Sequence, residues 1–181
     1  VRADPRRRAG PVPDPARRLH RTRRGLGGVL AGEVGPAVVQ SLEHEGVNAI
    51  AISGRKSGTL FAKPLKALVD GTPADLGLVG VVTSVNSSSI MNAVASRQVP
   101  VVSPIACEES KDSGLNVNAD LAAAAIAGAL DAESLIIMTD VPGIYRNWPD
   151  KDSLIDAICA EELESIKATF AEGMAPKVQA C

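Results

Sequence analysis

The chain has 181 residues, of which 45% are hydrophobic, and a formal net charge of −2 at pH 7. This length and composition suit one globular domain with a packed core, and an aromatic content of 2% is too low for the usual base-stacking nucleic-acid surface. The sequence has neither an apolar run of about eighteen residues nor the apolar core of a signal peptide, so we expect a cytoplasmic protein that does not associate with membranes.

The first 27 residues differ in composition from the rest of the chain. They hold nine of the twelve arginines, four prolines, no lysine and two acidic residues, whereas residues 28–181 carry ten basic and nineteen acidic residues. Such a segment is a basic arm, a disordered tail or non-native sequence. No lysine or aromatic residue separates the arginines, so nucleic-acid binding is not expected. We interpret 1–27 as a disordered or non-native head and 28–181 as the folded domain.

The regular pattern of the folded domain begins at Gly28. The first predicted element is a helix over 29–46, which is interrupted at Gly35-Pro36 and ended by Gly46. It is followed by a strand over 48–53, a turn over 54–58 that leads into a hairpin, a strand over 76–85, and a helix over 87–98 that is capped by Asn86 and Ser87. The later elements are strands over 99–106 and 134–141, a short strand over 153–159, and an amphipathic helix from 160. An alanine-rich helix follows the segment Asn116–Asp120.

Continuous apolar strands that alternate with helices predict a parallel sheet covered on both faces. The fold class is therefore α/β, a three-layer sandwich with a mainly parallel central sheet. Cys107, Cys159 and Cys181 are odd in number, widely spaced and outside any CxxC pair, which argues against a disulfide framework and a zinc site. We expect no dedicated metal cluster.

Three polar residues, Asn116, Asn118 and Asp120, stand at the mouth of the alanine-rich helix. In an open α/β sheet, ligands bind where the carboxyl ends of strands meet helix N-termini, and a helix N-terminus favours an anion. The structural interpretation is capping, with Asn118 as the N-cap. Capping explains one polar residue better than three. Helix capping and ligand binding therefore both stay open as interpretations of this segment.

Two further segments are candidates for a site. Thr139 and Asp140 end the predicted strand in LIIMTDVPGIY, and Pro142-Gly143 form a turn that can fold over a ligand. Lys177 follows glycine and proline in GMAPKV, at a predicted helix start. A cation is disfavoured there unless an anion is also present.

Together, NVNAD, LIIMTDVPGIY and GMAPKV resemble the amino-acid kinase family, and within it the N-acetylglutamate kinases of arginine biosynthesis. LAGEVGPAVVQSLEHEG, AISGRKSGTLFAKP and DLGLVGVVTSVN extend the resemblance over about residues 28–181, and YRNWPDKDSLI is similar to the actinobacterial form. Other members of the family share the TDV-G-Y pattern. The combination of NVNAD with GMAPKV is therefore the part of the resemblance that is specific for N-acetylglutamate kinases.

The resemblance implies an enzyme that transfers the γ-phosphoryl group of ATP, with Mg²⁺, to the side-chain carboxylate of N-acetyl-L-glutamate. By the match, Asn116 would bind acetylglutamate, and Asp120 would orient the catalytic lysines, of which Lys177 is one. The nucleotide would be bound by Thr139, Asp140, Val141, Pro142, Gly143, Ile144, Tyr145 and Met174. Complete relatives are often dimers or hexamers, so a homo-oligomer is compatible with the resemblance.

The chain also departs from the family pattern. The Lys-x-Gly-Gly strand, the His-Gly-Gly-Gly loop and the Gly-Leu-Arg-Val segment of complete members are absent, and Lys56 stands where relatives often have aspartate. We therefore expect a chain truncated at both ends, with impaired activity and marginal stability. The alternatives are a glutamate 5-kinase, uridylate kinase or carbamate kinase type of enzyme, or a non-catalytic interaction protein derived from a kinase.

Overall fold

The computed structural model of the chain describes residues 28–67, 73–109, 113–139, 142–147 and 149–166. The arginine-rich head and the end of the predicted last helix lie outside these residues. The elements are a π-helical turn (Leu30–Val34), α1 (Gly35–His44), β1 (Ala49–Ser53), β2 (Leu60–Pro64), β3 (Val79–Val85), α2 (Ser88–Ala95), β4 (Val99–Ser103), β5 (Ile105–Glu108), β6 (Gly114–Val117), α3 (Ala119–Ala129), a 3₁₀ turn (Lys151–Ser153) and α4 (Ala160–Ile166).

The first helix changes its winding at the predicted interruption. The backbone N–H of Gly35 donates to the carbonyl of Leu30, five residues back, so the preceding turn is a π-helix. Pro36 has no N–H to donate and stands in the first turn of α1, where a helix tolerates proline. The predicted end is also confirmed, because the helix stops at His44 and Gly46 has a φ of +79°.

The described strands form two groups. β1 and β4 pair in parallel, in register from Ala49 opposite Val99 to Ser53 opposite Ser103. The other four strands close a small barrel in the order β2-β3-β6-β5. In the barrel, β2 pairs with β5 and β3 with β6 in parallel, whereas the β2-β3 and β5-β6 pairs are antiparallel. The α/β class with parallel strand pairing is confirmed.

Two apolar clusters hold these groups together. The first includes Leu60, Leu115 and Ala122, and the second consists of Ile52, Ile90 and Ala93. Val102 of β4 and Ile126 of α3 pack against both clusters. The parallel pair and the barrel are therefore joined through β4 and α3, and the start of α3 lies close to the barrel.

The run 99–106 is two strands rather than the single strand predicted. β4 ends at Ser103, Pro104 makes a bend, and β5 begins at Ile105 in the barrel. Proline cannot donate to a β-ladder, although its carbonyl accepts a hydrogen bond from the N–H of Val117 at 3.2 Å. The bend lets one apolar run contribute to both groups of strands.

Two other strand predictions are wrong. Residues 134–139 form no strand, and the side chains of Ile136 and Met138 are 83% and 90% exposed. In the run 153–159, β-structure is limited to an isolated bridge between Leu154 and Tyr145. An apolar run becomes a strand only when a neighbouring strand pairs with it, and periodicity does not show whether that neighbour is there.

Candidate functional site

Asn116 lies on β6, one residue before the end of the strand. Its backbone N–H donates to the carbonyl of Leu78 at 2.7 Å, and the residue pairs with Val79 on one side and Ile105 on the other. Leu115 and Val117 are buried in the barrel core, so strand alternation places the half-buried Asn116 on the opposite face. Two neighbouring strands thus fix the backbone that presents the Asn116 amide.

Asn118 begins α3 as an N-cap, which confirms the capping interpretation for this residue. It has extended backbone angles, φ −61° and ψ 131°, and its side-chain oxygen accepts a hydrogen bond from the N–H of Leu121 at 3.1 Å. Its carbonyl accepts from the N–H of Ala122 at 2.9 Å. Asn118 is therefore accounted for by the start of the helix.

Asp120 occupies the first turn of α3 and is half-buried. A carboxylate in this position is favoured by the positive end of the helix dipole. Asp120 also takes part in a polar or electrostatic interaction within the chain. Asn116 and Asp120 thus lie on either side of a point where a strand leads into a helix, the type of junction at which α/β proteins bind ligands.

Helix α3 packs through one buried alanine. Ala122 is 3% exposed and belongs to the cluster that contains Leu60 and Leu115. A small side chain at this point lets the first turn of the helix approach the barrel closely. Contact with the barrel and with β4 therefore accounts for the apolar side chains of Ala122 and Ile126.

The predicted nucleotide residues lie in the segment that follows α3. Thr139 is exposed, Pro142 is exposed, and Gly143, Ile144 and Tyr145 are half-buried. The loop is tied to a later turn, because the Ile155 N–H donates to the Ile144 carbonyl and the Arg146 N–H donates to the Ser153 carbonyl, both at 2.8 Å. Asp140, Val141, Met174 and Lys177 lie outside the described residues.

Helix α4 also contacts the loop 142–147. Arg146 forms an ion pair with Glu162 at 2.7 Å, with both side chains about half exposed. Hydrogen bonds from its own backbone N–H and from Cys159 lower the pKa of the neighbouring Glu161 carboxyl. Loop 142–147 is therefore fixed at its carboxyl-terminal end.

Two polar groups at the start of β6, the end of the strand opposite the junction, were not predicted from the sequence. Glu108 on β5 is 7% exposed, and its carboxylate accepts a hydrogen bond from the Ser113 hydroxyl. Arg55 lies in the turn after β1 and reaches across Gly114 of β6. The basic turn SGRKSG was visible in the sequence, but its contact with a strand 59 residues later was not.

Comparison with known proteins decides the family. The Amino acid kinase family matches residues 4–181 of the chain. The chain belongs to the amino acid kinase family. The match begins inside the arginine-rich segment, whereas the curated relatives described next align over 84% of the chain.

Among similar members of the amino acid kinase family are bacterial acetylglutamate kinases. The enzyme from Kineococcus radiotolerans is 43% identical over 159 residues, which are 84% of this chain and 53% of that protein. The enzyme from an Arthrobacter species is 45% identical over 158 residues, 84% of this chain and 51% of the relative. The chain thus spans about half the length of the curated relatives it matches.

Solved structures share the fold. The crystal structure of smu.665 from Streptococcus mutans matches with a TM-score of 0.69 and 26% sequence identity. The match covers 86% of this chain and 60% of the smu.665 chain. An N-acetylglutamate synthase from Neisseria gonorrhoeae, complexed with coenzyme A and N-acetyl-glutamate, matches with a TM-score of 0.68 and 22% sequence identity. The match covers 88% of this chain and 35% of the synthase chain. At these similarities the second match supports the fold alone.

None of the helices in the described ranges has the length and apolar composition needed to span a membrane. Within the same ranges, no three His, Cys, Asp or Glu side chains are grouped so that they could hold a metal ion.

Proposed function

We propose that this chain takes part in acetylglutamate kinase chemistry, the transfer of the γ-phosphoryl group of ATP to the side-chain carboxylate of N-acetyl-L-glutamate. The observation that carries the proposal is the β6-α3 junction, where Asn116 and Asp120 are held by strand pairing and an N-cap. The identity of 43% and 45% to proteins named acetylglutamate kinase supports the choice of acceptor.

The chemistry suits a site without a strong base. A side-chain carboxylate has a pKa of about 4.3 and is already ionised at neutral pH, so it attacks phosphorus without losing a proton. Catalysis then depends on placing the two reactants and on stabilising negative charge as the phosphoryl group moves. A neutral amide such as that of Asn116 can hold the acceptor by a hydrogen bond without repelling its charge.

Asp120 has a positioning role in this proposal. Its carboxylate would orient the ammonium group of Lys177, the residue that matches a catalytic lysine in the family motif. A lysine held in this way would face the transferring phosphoryl group. The backbone N–H groups in the first turn of α3 add positive potential at the same end of the helix.

Chain geometry permits the 139–145 loop to reach the junction. Helix α3 has eleven residues and is therefore about 16 Å long. The six residues 134–139, if extended, span about 20 Å. That length is sufficient to bring Thr139 back to the level of Asp120. The loop residues Pro142, Gly143, Ile144 and Tyr145, with Thr139, Asp140, Val141 and Met174, would then bind the nucleotide.

Mg²⁺ would enter with the nucleotide. The donor set at the β6-α3 junction, two amides and one carboxylate, is smaller than the six oxygens Mg²⁺ requires. These residues fit a metal that is held mainly by phosphate oxygens and water. The bound ion would neutralise phosphate charge, while Asn116 and Asp120 would orient the acceptor and the lysine.

The proposal is tested with the 181-residue chain, MgATP and N-acetyl-L-glutamate, with hydroxylamine to trap the acyl phosphate as a hydroxamate. We expect N116A to lower kcat/KM by about 10- to 100-fold, mainly through KM, because a hydrogen bond to a charged group is lost. N92A is the matched control, since Asn92 is exposed on α2, and it should leave the kinetics within about twofold.

The alternatives predict different results. Product formation with glutamate or another acceptor, but not with N-acetyl-L-glutamate, would point to a different kinase of the same family. Binding of N-acetyl-L-glutamate without turnover would favour a non-catalytic role. Failure of the chain to bind N-acetyl-L-glutamate at all would contradict the proposed function.

A further inference from the structure

Residues 144–147 and 153–155 face each other as two short antiparallel segments, which form the 144–155 hairpin. An isolated bridge joins Tyr145 to Leu154, and a backbone hydrogen bond of 2.8 Å lies on either side of it. Two antiparallel segments without further support are marginally stable in water. The hairpin therefore depends on side-chain contacts to keep its shape.

Ser153 supplies side-chain hydrogen bonds that close the hairpin. Its hydroxyl donates to the Asp150 carbonyl at 2.6 Å and accepts a hydrogen bond from the Asn147 N–H at 3.0 Å. The Asp150 N–H donates in turn to the Asn147 carbonyl at 2.9 Å. One half-buried hydroxyl thus connects the end of loop 142–147 to the turn that follows it. An alanine at this position would remove both of its bonds.

The hairpin also contacts the beginning of the loop, through Leu154. A Cβ atom at Gly143 would lie 3.1 Å from the Leu154 Cδ1, so this side chain packs close to the glycine backbone. Leu154 follows Ser153 in the chain and is held by its bridge to Tyr145. A shift of residues 153–155 would therefore also change the contact at Gly143, one of the residues proposed to bind the nucleotide.

The ion pair between Arg146 and Glu162 is the weaker support for the same loop. Its atoms are 2.7 Å apart, but both side chains are about half exposed. Water and salt screen such a pair, so it contributes little to the order of the loop. Ser153 is more protected from water and bonds the backbone on both sides of the turn, so we expect its contribution to be larger.

We propose that Ser153 is a positioning residue for the nucleotide, because its hydroxyl keeps loop 142–147 in the shape that binds ATP. The inference rests on the proposed function and adds a residue outside the nucleotide-binding positions of the family pattern. Ser153 acts through Gly143 and Tyr145 and does not itself touch the nucleotide. When a binding loop is ordered in only a fraction of the chains, the apparent Kd equals the intrinsic Kd divided by that fraction.

The test compares the affinities for two ligands by isothermal titration calorimetry on the 181-residue chain. The ligands are MgADP and N-acetyl-L-glutamate. We expect S153A to weaken MgADP binding by about fivefold or more, because two hydrogen bonds that order the loop are lost. Binding of N-acetyl-L-glutamate should change by less than about twofold, since Asn116 and Asp120 belong to β6 and α3.

Limited proteolysis measures the order of the loop without requiring activity. Trypsin cleaves after arginine and lysine, and Arg146 and Lys151 lie within the hairpin. Mass spectrometry of the fragments that end at these two residues gives the cleavage rate. We expect cleavage of S153A to be at least about fivefold faster than that of the parent chain, because the rate follows the population of the opened loop. MgADP should slow cleavage of the parent chain.

Two matched variants separate loop order from a general loss of structure. S153T retains the hydroxyl and should bind MgADP within about threefold of the parent chain. S41A removes a hydroxyl that donates to the Ala37 carbonyl on α1, so it should leave both affinities within about twofold. Circular dichroism of each variant shows whether the fold is retained.

The outcomes distinguish the inference from the function beneath it. Unchanged MgADP binding by S153A, or equal weakening of both ligands, would overturn the role of Ser153 and leave the proposed function in place. Weaker MgADP binding without faster cleavage would do the same, because the loop would then be ordered without the hydroxyl. A parent chain that binds no MgADP would overturn the proposed function and this inference together.

Discussion

Thr59 illustrates how one residue can limit the stability of the barrel. Its side chain is fully buried at the start of β2, and Oγ1 has no protein hydrogen-bond partner among the described residues. A buried hydroxyl without a partner costs about 1–3 kcal/mol, and valine has nearly the same shape. We expect T59V to raise the free energy of unfolding by about 1 kcal/mol in urea denaturation. T59S, the control, keeps the hydroxyl and loses a methyl group, so it should be less stable than the parent chain. A destabilising T59V would show that the hydroxyl is hydrogen-bonded after all.

At the scale of a single element, the start of α3 separates a structural asparagine from a functional one. Asn118 caps the helix through its 3.1 Å bond from the Leu121 N–H, whereas Asn116 lies on the face of β6 opposite the core. We expect N118A to lower stability by about 1 kcal/mol, with N118S within a few tenths because serine also caps well. N116A should change stability by less than about 0.5 kcal/mol, since the side chain lies off the core face. Urea denaturation of the three variants gives the comparison. Equal losses for N116A and N118A would remove the distinction between the two roles.

The elements also show how far sequence patterns reach. The cap at Asn118 and the apolar strands β1 and β4 could be predicted, because capping and apolar runs depend on neighbouring residues in the chain. The division of 99–106 at Pro104 could not, since both halves are equally apolar and differ only in the strands that pair with them. The candidate site divides in the same way. The NVNAD pattern predicted the β6-α3 junction. The contact of Arg55 with Gly114 could not be predicted, because it depends on the folding of distant segments onto each other.

On the scale of the whole molecule, the segment after α3 is an exposed apolar surface. Ile136 and Met138 are 83% and 90% exposed and lie two residues apart, an arrangement that favours association between chains. We expect the double variant I136E/M138E to lower light scattering at high protein concentration, because it replaces apolar surface with charge of the same sign as the net charge of −2. The free energy of unfolding should change by less than about 0.5 kcal/mol, as for other exposed positions. The buried counterpart I52E, at a position 5% exposed, should unfold the chain and serves as the control. A loss of more than about 1 kcal/mol in the double variant would show that the segment is packed within the protein in solution.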